Sequence, residues 1–311
     1  MPAHTLPDFR AIEAAAARIA PHAHRTPVMH SRSLDALAGA ELHFKCEHLQ
    51  RVGAFKFRGA CNAVWSLDEA DAARGVVTHS SGNHGAALAL AARTRGIPAH
   101  VVVPEGAVRS KLAAIEAYGA TLHRCAPTIA AREEAAEQVR QATGATLVHP
   151  YTDPRVIAGQ GTAALELLRE VDDLDVLLAP IGGGGLIGGS ALTARALAPG
   201  VAVFAAEPSG AADACESLRR GTRVTDIVPD TVCDGLRGTI GAINLELLEA
   251  CAVRVLTVDD ADTLAAQRLI AARLKQVVEP SSAIALAAVF AHRDAFAGRR
   301  VGIILSGGNV D

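Results

Sequence analysis

Short apolar runs alternate with longer stretches of helical character along the chain. Each apolar run is almost free of polar residues, as expected for strands that are buried on both faces of a parallel sheet. Strands that alternate with helices in this way predict an α/β fold with mostly parallel strands. The predicted strands cover 75–80, 99–104, 175–180, 201–207 and 301–306. The predicted helices cover 84–95, 107–118, 128–142, 155–170, 186–198 and 259–276.

The chain has no linker, no low-complexity segment and no repeat of solenoid length. Any division into domains must therefore follow the sheets. The strand–helix units between about 75 and 152 are the candidates for an inserted lobe. We therefore expect a small domain at 75–152 and a large domain formed by 1–74 together with 153–311.

The composition is that of an ordinary globular protein. Of the 311 residues, 50% are hydrophobic and 20% are charged, which allows a sizeable core. Because aromatic residues make up only 3%, aliphatic side chains must fill that core. The net charge of −3 gives no reason to expect a surface that binds nucleic acid or a membrane.

No segment has the character of a targeting or membrane-spanning sequence. Residues 1–19 lack the basic and apolar regions of a signal peptide, and glycines and charges interrupt the longest apolar stretch, 171–200. The six cysteines are widely spread and include no C-x-x-C pair, so we expect them to be reduced. These features predict a cytoplasmic protein.

Turns rich in glycine or serine follow several of the predicted strands. In α/β proteins the carboxyl ends of the strands form the edge of the sheet where ligands bind. The turns lie at 79–85, 180–189, 207–213 and 306–311. We therefore expect the ligand-binding residues in these turns.

Four consecutive glycines, Gly182, Gly183, Gly184 and Gly185, lie between a predicted strand and a predicted helix. Without Cβ atoms, their backbone N–H groups can turn toward one anion, and the positive N-terminal end of the helix adds to the attraction. A phosphate group is the expected ligand. The alternative is a flexible turn, which the lack of polar linker residues disfavours.

The same turn also imitates a dinucleotide-binding fingerprint. Gly183, Gly185 and Gly188 fit the pattern G-x-G-x-x-G, and Glu207 ends the next predicted strand, where an acid binds ribose in such sites. An NAD-dependent dehydrogenase is therefore an alternative function. It leaves the lysine, serine and C-terminal glycine motifs without a role.

Lys56 lies between Phe55 and Phe57 in the segment QRVGAFKFRGACNAV. Desolvation by the two rings would lower the pKa of its amine toward neutrality and make it a usable nucleophile. A lysine nucleophile and a phosphate-binding turn together suggest pyridoxal phosphate, which needs a Schiff base at one end and a phosphate site at the other. A surface lysine beside two packing rings is the alternative.

A polar segment at the start of the predicted helix 84–95 offers a second site for an anion. Its small polar groups and the helix N-terminus suit a carboxylate. The alternative is an ordinary helix cap formed by Ser81 or Asn83. The candidate substrate-binding residues in this segment are Ser80, Ser81, Gly82 and His84, beside Asn83.

Taken together, the motifs resemble those of the fold-type-II pyridoxal-phosphate enzymes, in particular the serine/threonine dehydratase and serine racemase group. GAFKFRGA, HSSGNHG, AGQGT, GGGGLIGG, EPSGAAD and SGGNVD occur in the order and spacing of that family. The resemblance runs from about residue 20 to the end of the chain. It implies two open, twisted, mostly parallel sheets flanked by helices, in which the large domain binds the cofactor and the small domain binds the substrate.

In that resemblance, Lys56 is the Schiff-base lysine and Phe55 lies beside the cofactor ring. Asn83 hydrogen-bonds the phenolic oxygen, Ser306 faces the pyridine nitrogen, and glycines 182–185 hold the phosphate. A hydroxyl partner leaves the pyridine nitrogen largely neutral, which makes the cofactor a weaker electron sink. Elimination of a β leaving group is then favoured.

Two further features resemble the racemase branch. Ser81 matches the serine that faces the lysine across the substrate α-carbon, so that one group removes a proton and the other returns one. Glu207, the Ala211 carbonyl and Asp213 match a divalent-cation site, and two carboxylates, a carbonyl and waters suit Mg²⁺ or Ca²⁺. A solvated acid at a helix start is the alternative for Asp213.

Arg132 matches an arginine that meets a second carboxylate of the ligand in racemase-like and hydroxyaspartate-eliminating members of the family. Guanidinium groups pair with carboxylates through two parallel hydrogen bonds. The alternative is an exposed arginine paired with Glu133 or Glu134. If Arg132 reaches the pocket, 3-hydroxyaspartate joins serine and threonine as a substrate.

The expected function is therefore that of a pyridoxal-phosphate-dependent ammonia-lyase, which converts L-serine, L-threonine or 3-hydroxyaspartate to a 2-keto acid and ammonia. A serine or aspartate-type racemase with dehydratase side activity is the alternative within the family. The dehydrogenase and a non-catalytic amino-acid-binding module are alternatives of other classes. The resemblance implies a homodimer, and we expect the C-terminal regulatory domain of biosynthetic threonine deaminases to be absent.

Overall fold

The structure, a computed structural model, describes residues 6–310, and within them ten strands form two sheets. The predicted domain limits 1 and 311 and the last residue of the SGGNVD motif lie outside the described residues. The strands are β1 (Val28–His30), β2 (Glu41–Cys46), β3 (Val76–Thr78), β4 (Ala99–Pro104), β5 (Thr121–Cys125), β6 (Thr146–Leu147), β7 (Val176–Pro180), β8 (Ala202–Pro208), β9 (Arg254–Val258) and β10 (Arg300–Leu305).

Both sheets are mostly parallel, which confirms the predicted fold class. The larger sheet has the strand order β1-β2-β10-β7-β8-β9, and its one antiparallel pair joins β1 to β2. The smaller sheet has the order β5-β4-β3-β6, and all of its pairs are parallel. Every strand of the smaller sheet lies between residues 76 and 147.

Helices connect the strands and cover both sheets, as parallel strand connections require. They are α1 (Phe9–Ile19), α2 (Arg32–Ala38), α3 (Lys56–Trp65), α4 (Glu69–Arg74), α5 (Asn83–Arg95), α6 (Arg109–Ala117), α7 (Ile129–Thr143), α8 (Pro154–Glu170), α9 (Gly185–Leu197), α10 (Asp213–Arg220), α11 (Ala242–Ala250), α12 (Asp260–Arg273) and α13 (Pro280–Ala291). No helix within residues 6–310 is long and apolar enough to cross a membrane.

The five predicted strands and six predicted helices are all present, with ends within three residues of the prediction. The strands that the pattern missed are β1, β2, β5, β6 and β9. Four of these are edge strands, which are half-buried and therefore carry polar residues. The fifth, β2, contains a buried lysine that hides its apolar character.

Helix α3, which begins at Lys56, crosses α8 at a contact between two glycines. A Cβ atom on Gly159 would lie 2.6 Å from the Cα atom of Gly59, so neither position has room for a side chain. The Gln160 side chain accepts a hydrogen bond from the Gly59 N–H at 3.1 Å. The AGQGT motif is therefore explained by close packing of the helix that carries the lysine.

A buried network of charges also fixes α3. Arg58 is fully buried and donates to both carboxylate oxygens of Glu47, at 2.7 Å each, and to both of Glu166, at 2.7 and 2.8 Å. The buried Lys45 ammonium contacts Glu166 at 2.7 Å. Two cations thus balance two carboxylates, which is the condition for burying such groups. Through Arg58, which lies two residues after Lys56, the network joins α3 to β2 and α8.

Candidate active site

The four turns singled out in the sequence follow the carboxyl ends of strands. Residues 79–82 follow β3, Ile181 to Gly184 follow β7, Ser209 follows β8, and Ser306 follows β10. The parallel direction of β7, β8 and β10 places their turns at one edge of the larger sheet. The lysine at the start of α3 joins this edge through the contacts described next.

Lys56 is the first residue of α3 and is half-buried. Its ammonium group donates a hydrogen bond to the Pro150 carbonyl at 3.0 Å and lies 5.1 Å from the centre of the Phe55 ring. Burial lowers the pKa of Lys56 to about 8, against a smaller opposing effect of Glu279. The expected shift of the lysine pKa is thus confirmed in direction.

The two phenylalanines beside Lys56 have different surroundings. Phe57 is fully buried in the hydrophobic core that packs against the smaller sheet, where the Arg51 guanidinium lies 4.9 Å from its ring centre. Phe55, in contrast, is half-buried and is the ring in contact with the ammonium group. Of the two rings, Phe55 is therefore the one that lies within cation–π distance of the Lys56 ammonium group.

The C-terminal SGGN segment holds the turn that precedes Lys56. The Phe55 N–H donates to the Ser306 carbonyl at 2.9 Å, and the Gly308 N–H donates to the Gly53 carbonyl at 2.9 Å. Ser306 is buried, and its hydroxyl lies 3.5 Å from the Ser281 carbonyl. The segments around Lys56 and Ser306, which lie 250 residues apart in sequence, therefore form one local structure.

The polar segment 80–84 leads into α5, whose first residue is Asn83. The hydroxyl of Ser80 accepts a long hydrogen bond from the Gly82 N–H at 3.5 Å, and no side chain caps the helix. The helix cap by Ser81 or Asn83, the alternative interpretation of this segment, is therefore absent. His84 is buried, and its Nε2 atom lies 3.3 Å from the Val148 carbonyl while Nδ1 has no partner among the described residues.

The tetraglycine turn lies in close contact with its surroundings. A Cβ atom on Gly183 would overlap the Tyr151 ring, and one on Gly184, where φ is +91°, would lie 2.5 Å from the Ile240 side chain. Asn244 donates from Nδ2 to the Gly183 carbonyl at 2.5 Å. Glycine is therefore required at these positions by contacts within the protein itself.

The same turn has free hydrogen-bond donors. Within residues 6–310, the backbone N–H groups of Gly182, Gly183 and Gly184 have no protein acceptor. Helix α9 begins at Gly185, so the positive end of its dipole points at the turn. Unpaired N–H groups at a helix N-terminus fit a phosphate group, and with Lys56 they fit pyridoxal phosphate.

Arg132 lies on α7 and is half-buried. Its Nε atom is buried without a hydrogen-bond partner among the described residues, and no ion pair with Glu133 or Glu134 is present there. Burial, and to a smaller extent the Arg132 charge, lowers the pKa of His79, whose ring centre lies 5.0 Å from that of His149. The exposed, paired arginine of the alternative interpretation is therefore absent, and a guanidinium with an unused donor lies near the segment that follows β3.

Glu207, Ala211 and Asp213 lie together at the end of β8 and the start of α10. Glu207 is buried and accepts hydrogen bonds from the backbone N–H groups of Ala214 and Cys215 at 2.7 and 2.9 Å. The carboxylate of Asp213, also buried, accepts from the Ile240 N–H at 2.6 Å. Glu207 therefore caps a helix and does not extend toward a ribose site.

No group of three or more histidine, cysteine, aspartate and glutamate side chains within residues 6–310 could hold a metal ion. The predicted cation site contains two such side chains and a carbonyl, so it stays a prediction. Burial raises the pKa of Glu207 to about 8 and that of Asp213 to about 6. Burial therefore disfavours the anionic form of both neighbouring carboxyl groups.

The sequence interpretation missed several residues of the site. Tyr151 and Asn244 pack against the glycine turn, and Glu279 and Asn309 hydrogen-bond to Asn83. Glu279 is 5% exposed and precedes α13, a helix that the pattern did not predict because it is apolar on all sides. A buried glutamate at a helix N-terminus gives little signal in a single sequence.

The chain is similar to known enzymes over almost its whole length. Residues 19–307 match the family model described as "Pyridoxal-phosphate dependent enzyme". The chain is 48% identical to the β-hydroxyaspartate dehydratase of Paracoccus denitrificans, covering 98% of this chain and 97% of that protein. It is also 48% identical to the serine racemase of Arabidopsis thaliana, covering 98% and 93%.

The chain is also similar to a solved structure. Maize serine racemase has a TM-score of 0.96 and 45% identity to the chain, and the match covers 99% of this chain and 95% of that one. The family model and the relatives cover far more than the local motifs on which the resemblance was based. The chain belongs to the family of pyridoxal-phosphate-dependent enzymes.

Proposed function

We propose that the chain is an ammonia-lyase that converts a β-hydroxy amino acid to a 2-keto acid and ammonia. The observation that carries the proposal is the Lys56 amine, which has a pKa of about 8 and lies beside Phe55 at the edge of the sheet. An amine with this pKa is partly neutral at physiological pH and can both bind an aldehyde and accept a proton.

Pyridoxal phosphate, when bound, supplies an electron sink for the bond that breaks at the substrate α-carbon. The N–H groups of Gly182, Gly183 and Gly184 and the N-terminus of α9 would hold the phosphate. Phe55 would border the ring, Ser306 would offer a hydroxyl to the pyridine nitrogen, and Asn83 would offer an N–H to the phenolic oxygen. These groups orient the reacting bond, and Lys56 removes the α-proton as general base.

The substrate carboxylates have two candidate sites. Ser80, Ser81 and the N-terminus of α5 receive the α-carboxylate, with Gly82 and His84 alongside. The second site is Arg132, whose buried Nε has no partner among the described residues. A dicarboxylic β-hydroxy amino acid, 3-hydroxyaspartate, uses both sites, and the P. denitrificans relative has the name of a β-hydroxyaspartate dehydratase. We therefore propose 3-hydroxyaspartate as the preferred substrate.

Racemisation of an amino acid is the second candidate function. Ser81 lies in the segment between β3 and α5 with no side-chain role in capping the helix, so its hydroxyl is available to return a proton to the substrate. The A. thaliana relative, at the same identity, has the name of a serine racemase. Overall similarity therefore does not favour one activity over the other.

Three further features belong to the proposal. The smaller sheet, with residues 75–152, forms a substrate-binding domain, and 1–74 with 153–311 form the cofactor-binding domain. Glu207, the Ala211 carbonyl and Asp213 bind Mg²⁺ or Ca²⁺, which would stabilise the start of α10. The protein acts as a cytoplasmic homodimer, as the resemblance implies.

The test combines the visible spectrum of the purified protein with a panel of substrates. L-serine, L-threonine and the threo and erythro isomers of 3-hydroxyaspartate are added one at a time, and the 2-keto acid and the D-amino acid are measured. We expect a yellow protein that forms oxaloacetate and ammonia from one isomer of 3-hydroxyaspartate. Faster formation of D-serine than of pyruvate from L-serine would favour the racemase.

Lys56→Ala tests the role of the lysine. The variant should have no yellow band and no turnover, because it lacks both the amine that binds the aldehyde and the base. Full activity would overturn the mechanism. For the cation site, added Mg²⁺ or Ca²⁺ should raise the midpoint of thermal unfolding in the wild type and leave it unchanged in Asp213→Asn.

A further inference from the structure

The amide of Asn83 is held at both ends by side chains that have no role in the mechanism above. Its Nδ2 atom donates to both carboxylate oxygens of Glu279, at 3.2 Å each. Its Oδ1 atom accepts from Nδ2 of Asn309 at 2.8 Å. Asn309 Nδ2 also donates to the Val52 carbonyl at 2.8 Å. A chain of hydrogen bonds thus runs from a backbone carbonyl through two amides to a buried carboxylate.

The chemistry of the groups gives this chain one direction. A backbone carbonyl only accepts, so Asn309 must present its amino group to Val52, and that same amino group reaches Oδ1 of Asn83. In the structure both Glu279 oxygens accept from the Asn83 amino group. Burial raises the pKa of Glu279 to about 7, so above that pH its carboxylate only accepts and Asn83 must present its amino group to it. Reversing the Asn83 amide would place its amino group against the amino group of Asn309. It would also place its oxygen against the carboxylate of Glu279.

One N–H of the Asn83 amino group remains after the bond to Glu279. An amino group has two hydrogens, and the two contacts to Glu279 share one acceptor group. The remaining N–H can donate only if the amide keeps this orientation. An amide oxygen in its place would repel a phenolic oxygen that carries negative charge.

The surroundings of Glu279 fix its position, so that it can orient the Asn83 amide. Its carboxylate is buried, and its backbone N–H donates to the Gly307 carbonyl at 3.0 Å. A Cβ atom on Gly307 would lie 2.6 Å from Oε1, so the glycine makes the space that the carboxylate fills. The turn at Val52, the other end of the chain, has a left-handed conformation with φ of 58°, which is rare for a β-branched residue.

We propose that Glu279 and Asn309 are positioning residues that act through Asn83. Together they fix its amide so that an N–H, and not the amide oxygen, points toward the phenolic oxygen of the cofactor. The inference rests on the proposed cofactor contact of Asn83. It goes beyond that contact because it assigns a role to an exposed asparagine and a buried glutamate outside the reacting groups.

Asn309→Asp is the sharpest variant. The new carboxylate has nearly the shape of the amide but would place an oxygen against both the Val52 carbonyl and Oδ1 of Asn83. Because Asn309 is exposed, the variant should keep its fold, which thermal unfolding checks. Val310→Ala, an exposed neighbour, is the matched control. Glu279→Gln keeps an acceptor for Asn83 and should be closer to wild type than Asn309→Asp.

The readouts are the dissociation constant for pyridoxal phosphate and the absorbance spectrum of the protein with the cofactor bound. In Asn309→Asp we expect the dissociation constant to rise about tenfold, the scale of one lost hydrogen bond to a charged group. The visible band should weaken in favour of a near-ultraviolet band, since loss of the N–H favours protonation of the phenolic oxygen.

The outcomes separate this inference from the proposed function. A wild-type protein that binds no pyridoxal phosphate would overturn the proposed function and the inference with it. A wild type that binds the cofactor, with an Asn309→Asp variant of unchanged spectrum and unchanged dissociation constant, would overturn only the positioning role. A lower unfolding midpoint with an unchanged spectrum would assign Asn309 a structural role and would also overturn it.

Discussion

Replacing Arg132 should separate a dicarboxylic substrate from a monocarboxylic one. Arg132→Met keeps most of the length and apolar character of the side chain and removes the guanidinium. The buried Nε of Arg132 has no partner among the described residues, so the substitution breaks no hydrogen bond of that atom there. The effect on activity should therefore come from lost contact with the ligand.

The expected loss of activity follows from the geometry of a guanidinium–carboxylate pair. Guanidinium binds a carboxylate through two parallel hydrogen bonds, each of which contributes about 1.5–3 kcal/mol when a charged group takes part. Arg132 is half-buried, which favours the lower end of the range, about 3 kcal/mol in all. Since about 1.4 kcal/mol corresponds to a factor of ten, kcat/KM for 3-hydroxyaspartate should fall roughly 100-fold.

The assay compares kcat/KM for 3-hydroxyaspartate and L-serine in the same variants. Serine has no second carboxylate, so its kcat/KM should change less than about threefold. Arg132→Lys keeps the charge but cannot form two parallel hydrogen bonds to a carboxylate. Its kcat/KM for 3-hydroxyaspartate should fall about tenfold. Arg140→Met is the matched control, because Arg140 lies on the same helix but is exposed and paired with Glu137 at 2.7 Å.

An equal loss of kcat/KM on both substrates in Arg132→Met would refute the reasoning, because it would mean that the arginine supports the site without contacting the second carboxylate. Undiminished activity on 3-hydroxyaspartate would refute it as well. Loss on 3-hydroxyaspartate alone, with the control unchanged, is the result that the geometry predicts.

Three more predictions concern the cofactor turn, the lysine and the buried charges. Gly183→Ala should abolish tight binding of pyridoxal phosphate because the new methyl group overlaps the Tyr151 ring, and adding Tyr151→Ala should restore part of the affinity measured by fluorescence titration. The rate at which the cofactor-free protein binds pyridoxal phosphate should rise with pH around a midpoint of about 8, since burial lowers the Lys56 pKa and the neutral amine is the reactive form; a midpoint near that of free lysine would contradict this. Arg58→Met should lower the free energy of unfolding by about 3–5 kcal/mol because it leaves the Glu47 carboxylate buried and unpaired; the double variant with Glu47→Gln should recover part of the loss in urea denaturation, and an equal loss in both would contradict the explanation.

The order of strands and helices was readable from the sequence because their patterns are local. Buried parallel strands such as β4 and β7 are short apolar runs, and any single window contains that information. Edge strands such as β5 and β9 are half-buried and mixed in polarity, so no local pattern marks them. Their existence depends on which neighbour they pair with.

The candidate residues of the site could also be identified from the sequence, since lysine, serine and glycine motifs stand at strand ends and match a family in order and spacing. Lys56 and the glycine turn were identified from residue type and position, whereas the expected roles of Asn83 and Ser306 came from the resemblance to the family. The hydrogen-bond and packing partners of these residues could not be predicted. That Pro150 accepts from Lys56, or that Tyr151 packs on Gly183, depends on segments brought together over more than 30 residues of chain.

The sequence by itself therefore determined the fold class, the family and the candidate reacting groups, because each depends on local pattern or on motif order. Only the tertiary structure decided that the Phe55 ring lies beside the Lys56 ammonium group, that Arg132 has a buried donor without a partner among the described residues, and that Glu279 hydrogen-bonds to Asn83. Burial and hydrogen-bond partners are properties of the packed chain. A charged residue that the sequence suggests is exposed to solvent can act in a site only where packing excludes water from it.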